Sequence, residues 1–245
     1  MTASEGLLVR AAASAQAFVD DVASPVIADA DLHHLLTVRR LRDGETVVLC
    51  DGRGTWRLGT VASGKIEADG DIVIESRPEP TVSVALAPVK GDRSEWAVAK
   101  LTELGCDRIV ALTTDRGAVR WTSSTAERAL ERWRRVALEA AAQSRRAWLP
   151  EVVGPVSVAD LAATAPLVLG TIGGPAVQEA GTTVAIGPEG GWSPSELEAV
   201  AGRVGLAAQV LRTETAAVAA GVVLTGLRAG TVRKVDISGS SEVST

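Results

Sequence analysis

The stretch Val184-Ala185-Ile186-Gly187-Pro188-Glu189-Gly190-Gly191-Trp192-Ser193-Pro194-Ser195-Glu196-Leu197-Glu198 decides the fold of this chain. It continues an apolar, β-branched run from Thr182 to Ile186 that reads as a buried strand. The run breaks at Gly187-Pro188 and passes Gly190-Gly191, where the backbone is free to take positive φ and approach a ligand. Ser193 then offers an N-cap, Pro194 suits the first helical position, and Glu196 completes a Ser-x-x-Glu capping box. Strand, glycine loop and helix start in this order describe how open α/β sheets hold ligands at the carboxyl ends of their strands.

The loop has neither a Gly-x-x-x-x-Gly-Lys-Ser/Thr pattern nor Gly-x-Gly-x-x-Gly spacing, so polyphosphate and dinucleotide chemistry are disfavoured. Glu189 puts a carboxylate inside it, which repels phosphate and suits a hydroxyl-bearing or cationic ligand. Taken alone, the loop is equally a tight turn. A second stretch, Leu211-Arg212-Thr213-Glu214-Thr215-Ala216, weighs against that reading. It opens an almost wholly apolar helix through the small-residue run Ala217 to Gly221 and on to Leu224. Such a helix is buried on nearly every face. Thr213 or Thr215 as N-cap and Glu214 at the positive end of the dipole account for part of the cluster but leave Arg212 over.

Together these two motifs, in this order and separation, resemble the RsmE family of 16S ribosomal RNA uridine-N3 methyltransferases. That family belongs to the SPOUT superfamily, whose carboxyl-terminal domain contains a trefoil knot that binds S-adenosylmethionine. The likeness extends through His34 to Arg42, Gly44, Asp51-Gly52, Lys90-x-Asp-Arg, Lys100-x-x-Glu-Leu-Gly, Arg132-Trp133, Glu139-Ala-Ala-Ala-Gln-Ser-Arg and Pro150, spanning roughly Ala17 to Val232. It departs in two places. Ala207-Ala208-Gln209 stand where the family approaches its arginine-threonine motif with a glycine and an arginine, and Ala142 replaces a carboxylate on a long helix.

At 245 residues with 46% hydrophobic composition, the chain has material for one large domain or two modest ones. No apolar run reaches the length of a membrane span, no signal segment opens the sequence, and Cys50 and Cys106 are too few for a disulfide framework or a metal site. A cytoplasmic protein without metal is expected. The formal charge of −5 disfavours nucleic acid as a sum. Distribution matters more: Arg116, Arg120, Arg128, Arg132, Arg134, Arg135, Arg145 and Arg146 crowd one segment, and Arg39, Arg40 and Arg42 form a second group. Each is equally a solvated surface charge, but together they suggest a phosphate track.

Along the chain, Asp31 to Arg42 reads as a helix ending near Asp43-Gly44. Runs at Ala17–Val19, Thr46–Cys50, Trp56–Ala62 and Asp71–Glu75, with glycine turns between the later ones, indicate a small β-barrel. His33 and His34 are adjacent on a helix and point apart, so they form no catalytic pair. Arg77-Pro78-Glu79-Pro80 is a stiff linker and marks the domain boundary. Beyond it strands (82–89, 108–112, 168–170, 182–186) alternate with helices (94–104, 124–143), which means a parallel sheet. On the long helix Arg132, Arg135 and Glu139 share a face; this is either an i,i+4 ion-pair ladder or a row able to hold a base edge and its phosphates. From Ser238 the chain is Ser/Gly-rich and reads as disordered.

The resemblance makes residues 1–77 a PUA-like RNA-binding β-barrel and 81–237 a SPOUT methyltransferase domain, with 238–245 a tail. It implies S-adenosylmethionine wrapped by Leu169, Gly170, Ile186, Gly187, Pro188, Glu189, Gly190, Gly191, Val210, Leu211, Thr213, Thr215 and Ala216. Arg212 would stabilise the anion formed at the base, and Glu214 would accept the proton or orient Arg212. RNA contacts are implied for Arg39, Arg40, Arg42, Lys90, Arg93, Glu139, Gln143, Arg145 and Arg146. The implied partners are 16S rRNA or the small subunit and a second copy of the chain. Ribose 2′-O methylation and a non-catalytic RNA-binding or assembly role are the alternatives.

Overall fold

The structure is a computed structural model that describes residues 3–200 and 202–232. The expected tail from Ser238, and the end of the second domain past Val232, lie outside the described residues. Two sheets organise the molecule. In the first, β1 (Ala15–Phe18) pairs in parallel with β2 (Thr46–Cys50), and β3 (Thr55–Ala62) runs antiparallel to β2, to β4 (Lys65–Ala68) and to β5 (Val73–Ile74). Strand β2 reads as a continuous apolar run because both its faces are covered. Val47 and Leu49 meet Ala15, Ala17 and Leu35, while Val48 and Cys50 meet Trp56 and Ala147. A helix α1 (Ala3–Ala12) precedes this sheet, and Leu35, just after the exposed α2 (Asp29–His33), packs on it.

The second sheet is all parallel. Its strands are β6 (Ser83–Leu86), β7 (Arg108–Thr113), β8 (Glu151–Ser157), β9 (Leu167–Gly170), β10 (Thr183–Ile186) and β11 (Gly202–Val204), in spatial order β11-β9-β10-β6-β7-β8. Alternation sorts its side chains between two layers. Val84, Leu86, Ile109, Val184 and Ile186 face α3 (Arg93–Leu104), α4 (Ser123–Gln143) and α7 (Thr213–Ala229). Ala85, Val110, Leu169 and Ala185 face the short helices α5 (Val158–Ala162) and α6 (Pro194–Glu198). Each fully buried leucine here, such as Leu101 or Leu224, contributes about 1.5–3 kcal/mol.

Several sequence expectations shift. The helix predicted from Asp31 to Arg42 stops at His33 and loosens into a π turn at His34–Val38, with the Arg39 amide bonded five residues back to His34. Arg40, at φ 58°, ends it in the left-handed region. The strand predicted over Asp71–Glu75 shrinks to two residues. Helix α7 starts as predicted, but neither Thr213 nor Thr215 is its N-cap: Arg212 takes that position with extended backbone and no side-chain cap.

The chain between α4 and β8 joins the two sheets. Arg145 Nη2 donates to the carbonyls of Ala13 (3.1 Å) and Ser14 (2.9 Å). Gln16 donates to the Arg146 carbonyl at 2.8 Å, and Gly54 and Leu149 exchange backbone bonds across the seam with Ala147 and Gly52. Below it, the Asp107 carboxylate, 1% exposed, meets the guanidinium groups of Arg146 and Arg228 and the Val82 amide. One buried acid thus ties the first strand of the sheet to its last helix.

Candidate active site

Register sets the position of the site. β9 and β10 pair with Leu169 opposite Ala185, and β9 and β11 pair with Gly170 opposite Val204, so three strands end on one rim. The loops beyond them frame a cavity of about 480 Å³, inside the ~300–1,000 Å³ range usual for small-molecule pockets. The loop after β9 supplies Gly170, Thr171 and Ile172, and the loop after β10 supplies Gly187, Pro188, Glu189, Gly191 and Trp192. The third wall is Leu206, Ala207, Gln209, Val210, Leu211 and Arg212, closed by Thr213 and Ala216 of α7.

Specific bonds hold the walls together. Gly191 adopts φ 69° and donates its amide to the Pro188 carbonyl at 2.9 Å, making the turn that the glycine pair suggested. The Trp192 indole donates to the Gly170 carbonyl at 2.9 Å, joining the β10 loop to the β9 loop. A Cβ on Gly187 would stand 2.9 Å from that indole ring, so a side chain there would push the tryptophan aside. The Thr213 hydroxyl, free of any capping duty, donates to the Gly187 carbonyl at 2.9 Å and fastens the third wall to the second. The Ser193–Glu196 capping box forms as predicted.

The charged groups divide at the head of α7. Arg212 is exposed at the cavity, and its guanidinium makes no hydrogen bond or ion pair among the described residues. Glu214 turns the other way. It is buried, its Oε1 accepts from Arg93 Nη1 at 3.4 Å, and its Oε2 has no partner among the described residues. Arg93 Nη1 also lies 3.7 Å from Glu189 Oε1, so one cation links the glycine loop to α7.

Of the residues expected around a cofactor, Gly170, Ile186, Gly187, Pro188, Glu189, Gly191, Val210, Leu211, Thr213 and Ala216 line the cavity. Three do not. Leu169 is fully buried in the core between the sheet and α5 and α6, because alternation turns it away from the rim side. Gly190 lies behind the loop, where its missing Cβ makes room for Arg116, and Thr215 points to solvent. Thr171, Ile172, Trp192, Leu206, Ala207 and Gln209 were not singled out. Trp192 stood inside the decisive motif, and Ala207 and Gln209 belong to the departure from the family, which still closes the wall.

The expected RNA residues divide as well. Arg39, Arg40, Arg42 and Lys90 are exposed, as are Glu139 and Gln143 on α4. No ion pair joins Arg132, Arg135 and Glu139 to one another among the described residues; Arg132 pairs instead with Glu95 at 3.4 Å, so the ladder does not form. Arg145 and Arg146 are corrections: both guanidinium groups are committed inside the protein. Arg145 is taken up by four carbonyls at the seam. Arg146, with an 11% exposed side chain, is held by the carbonyls of Thr102 and Cys106 and by Asp107. Burial holds both below the ordinary arginine value, with Arg39 adding to the effect on Arg145. It also pushes the Cys50 and Cys106 thiols up to about 12, which keeps them neutral and unreactive. Among the described residues no acidic, histidine or cysteine cluster could hold a metal, and no helix is long and apolar enough to cross a membrane.

A parallel sheet with a ligand cavity over its carboxyl rim, joined to a small β-sheet unit, is here the architecture of a chain that matches RNA methyltransferases. Residues 76–225 match the RNA methyltransferase domain and residues 27–73 the RNA methyltransferase PUA domain. A Mycobacterium bovis protein named ribosomal RNA small subunit methyltransferase E is 36% identical over 229 residues, covering 82% of this chain and 86% of the relative. One of the same name from Synechocystis is 30% identical over 216 residues, covering 79% and 70%. The chain belongs to the ribosomal RNA small subunit methyltransferase E family, the RsmE family of the SPOUT superfamily. The crystal structure of a probable rRNA-methyltransferase from Porphyromonas gingivalis superposes with a TM-score of 0.72 at 25% identity, covering 89% of this chain and all (100%) of that one. The same fold occurs in a Neisseria gonorrhoeae ribosomal RNA small subunit methyltransferase E bound to S-adenosyl methionine (TM-score 0.69, 24% identity, coverage 87% and 97%).

Proposed function

We propose that this protein methylates N3 of a uridine in 16S ribosomal RNA with S-adenosylmethionine as donor. It works in the cytoplasm as a homodimer, with its domain boundary at Arg77–Pro80. The observation that carries the reading is the three-walled cavity with Arg212, unpaired among the described residues, at its edge. The donor set fits the cofactor. Largely apolar walls with glycines at the rim suit an adenosine, no lysine lines the cavity among the described residues, and Glu189 offers an anion to a cationic ligand.

When bound, S-adenosylmethionine supplies a methyl group already activated by its positive sulfur. The protein's task is therefore positioning and the removal of one proton. N3 lies on the Watson–Crick edge, so the uridine enters unpaired or extruded from a helix. Arg212 meets the uracil carbonyl oxygens and stabilises the negative charge that develops when the N3 proton leaves. Glu214 is buried outside the cavity lining and held by Arg93, so it orders that side of the site through Arg93, and the N3 proton passes to solvent water. Exposed Arg39, Arg40, Arg42 and Lys90 contact the RNA backbone, with Glu139 and Gln143 of α4 beside them. The second copy docks on the open side of α7, where Val222 is 46% exposed.

Mass spectrometry of nuclease-digested 16S rRNA, treated with the protein and labelled S-adenosylmethionine, tests the reading. The expected product is N3-methyluridine. Label on a ribose oxygen would shift the chemistry to 2′-O methylation, and the absence of both product and cofactor uptake would leave a binding protein.

A further inference from the structure

We propose that Asp115, on the loop between β7 and α4, is a positioning residue for the cofactor cavity, holding the Gly187–Trp192 loop from its outer side. The proposal rests on reading the cavity as the S-adenosylmethionine site. Asp115 does not line the cavity. Its carboxylate accepts the hydroxyls of two serines at the start of α6, Ser193 and, at 3.0 Å, Ser195. In return its backbone amide donates to Glu196 Oε1 at 3.0 Å, while Glu196 Oε2 accepts the Ser193 amide at 2.8 Å. The Asp115 carboxylate thus holds the serine hydroxyls at the start of α6, while the Glu196 carboxylate within α6 holds the Asp115 amide. Ser193 and Glu196 are each only 7% exposed, which shields part of this network from water.

Topology explains why a brace is required. Helix α6 has five residues, too short to persist by itself, and its capping box satisfies its own first turn without fixing where that turn sits. β7 is separated from β10 by β6, so the bonds from Asp115 reach over the carboxyl end of the intervening strand. The next residue completes the contact. Arg116 Nη1 donates to the Gly190 carbonyl at 3.3 Å, and a Cβ on Gly190 would lie 3.1 Å from the Arg116 Cβ. Between these anchors, at Gly190 and Ser193, lies Trp192, whose indole closes the cavity against Gly170. A shift at Ser193 therefore moves the ring that Gly187 was kept bare to admit. The hydroxyl donors of Ser193 and Ser195 hold the Asp115 carboxyl below the ordinary carboxylate range, so the acceptor stays charged through neutral pH.

The test compares wild type with D115A, D115N, S195A and the D115A/S195A double variant. Calorimetry with S-adenosylmethionine gives cofactor affinity, steady-state kinetics with small-subunit RNA gives kcat and both KM values, and thermal melting checks the fold. In D115A, cofactor affinity falls and its KM rises about tenfold, while kcat, the RNA KM and the melting temperature hold. D115N keeps an accepting oxygen and recovers part of the loss. S195A costs less on the D115A background than in wild type, because Ser195 then has only the Ser193 hydroxyl, 2.9 Å away, left to bond. Unchanged cofactor affinity in D115A, a loss shared equally by kcat and thermal stability, or full additivity in the double variant overturns the proposal. Wild-type protein that takes up no cofactor overturns instead the functional reading beneath it.

Discussion

Arg212 and Glu214 are two residues apart in the sequence, yet only Arg212 lines the cavity. Its guanidinium is unclaimed among the described residues, whereas Glu214 is drawn under Arg93. If Arg212 stabilises the forming anion, R212A lowers kcat by about 10²–10³, the cost of removing one preorganised donor, and leaves the melting curve in place. An R212A enzyme with near-normal turnover would remove that role. A different residue carries the fold. Asp107→Ala leaves Arg146 and Arg228 buried without their acid, and loss of one member of a buried ion cluster costs about 3–5 kcal/mol. Urea denaturation should show that loss, while a change below about 1 kcal/mol would mean the cluster is worth no more than a surface ion pair. At this scale the sequence was legible where chemistry is local: Gly191, Ser193, Pro194 and Glu196 act on their own backbone and behave as read. It was illegible where partners come from far along the chain, as with Glu214 and Arg93, 121 residues apart. The same holds for Arg145 and Arg146, whose charges suggested RNA before their buried partners were visible.

Among the elements, those with a full period of buried residues were read almost to the residue. Helix α4 buries Ala126, Ala129, Leu130, Trp133 and Ala137 at three- and four-residue steps, and β2 is an unbroken apolar run. The missed elements, α1, β4, β8, α5 and β11, each lack such a signal; β4, for one, buries no residue fully. β8 holds Gly154-Pro155, and proline argues against a strand unless it lies at a sheet edge, which is where β8 runs. β11 has only three residues, and α5 a single turn. The small residues of α7 had a further meaning. Gly221 lets α7 lie close to α3, since a Cβ there would stand 2.7 Å from Leu101 Cδ2 and 3.3 Å from Cys106 Sγ. Gly221→Val therefore overpacks this contact and lowers stability by about 1–3 kcal/mol, measured as a shift in the denaturation midpoint. A variant as stable as wild type would show that the two helices can separate without cost.

For the whole molecule, the second copy is the prediction with the widest reach. Val222 is exposed on the side of α7 away from the core. Val222→Glu puts a charge on that face and should yield a monomer by sedimentation, with activity lost in parallel. A fully active monomer would show that one chain contains a complete site. The seam between the sheets has a consequence of its own. Because Arg145, Gln16, Gly54 and Leu149 bond the two sheets along one short segment, Arg39, Arg40 and Arg42 beside the first sheet and the rim cavity of the second keep a set separation, like the jaws of a caliper. On the proposed function, an RNA is then selected by the gap between the part it lays on those arginines and the base it offers to the cavity, so that the right nucleotide at the wrong reach is refused.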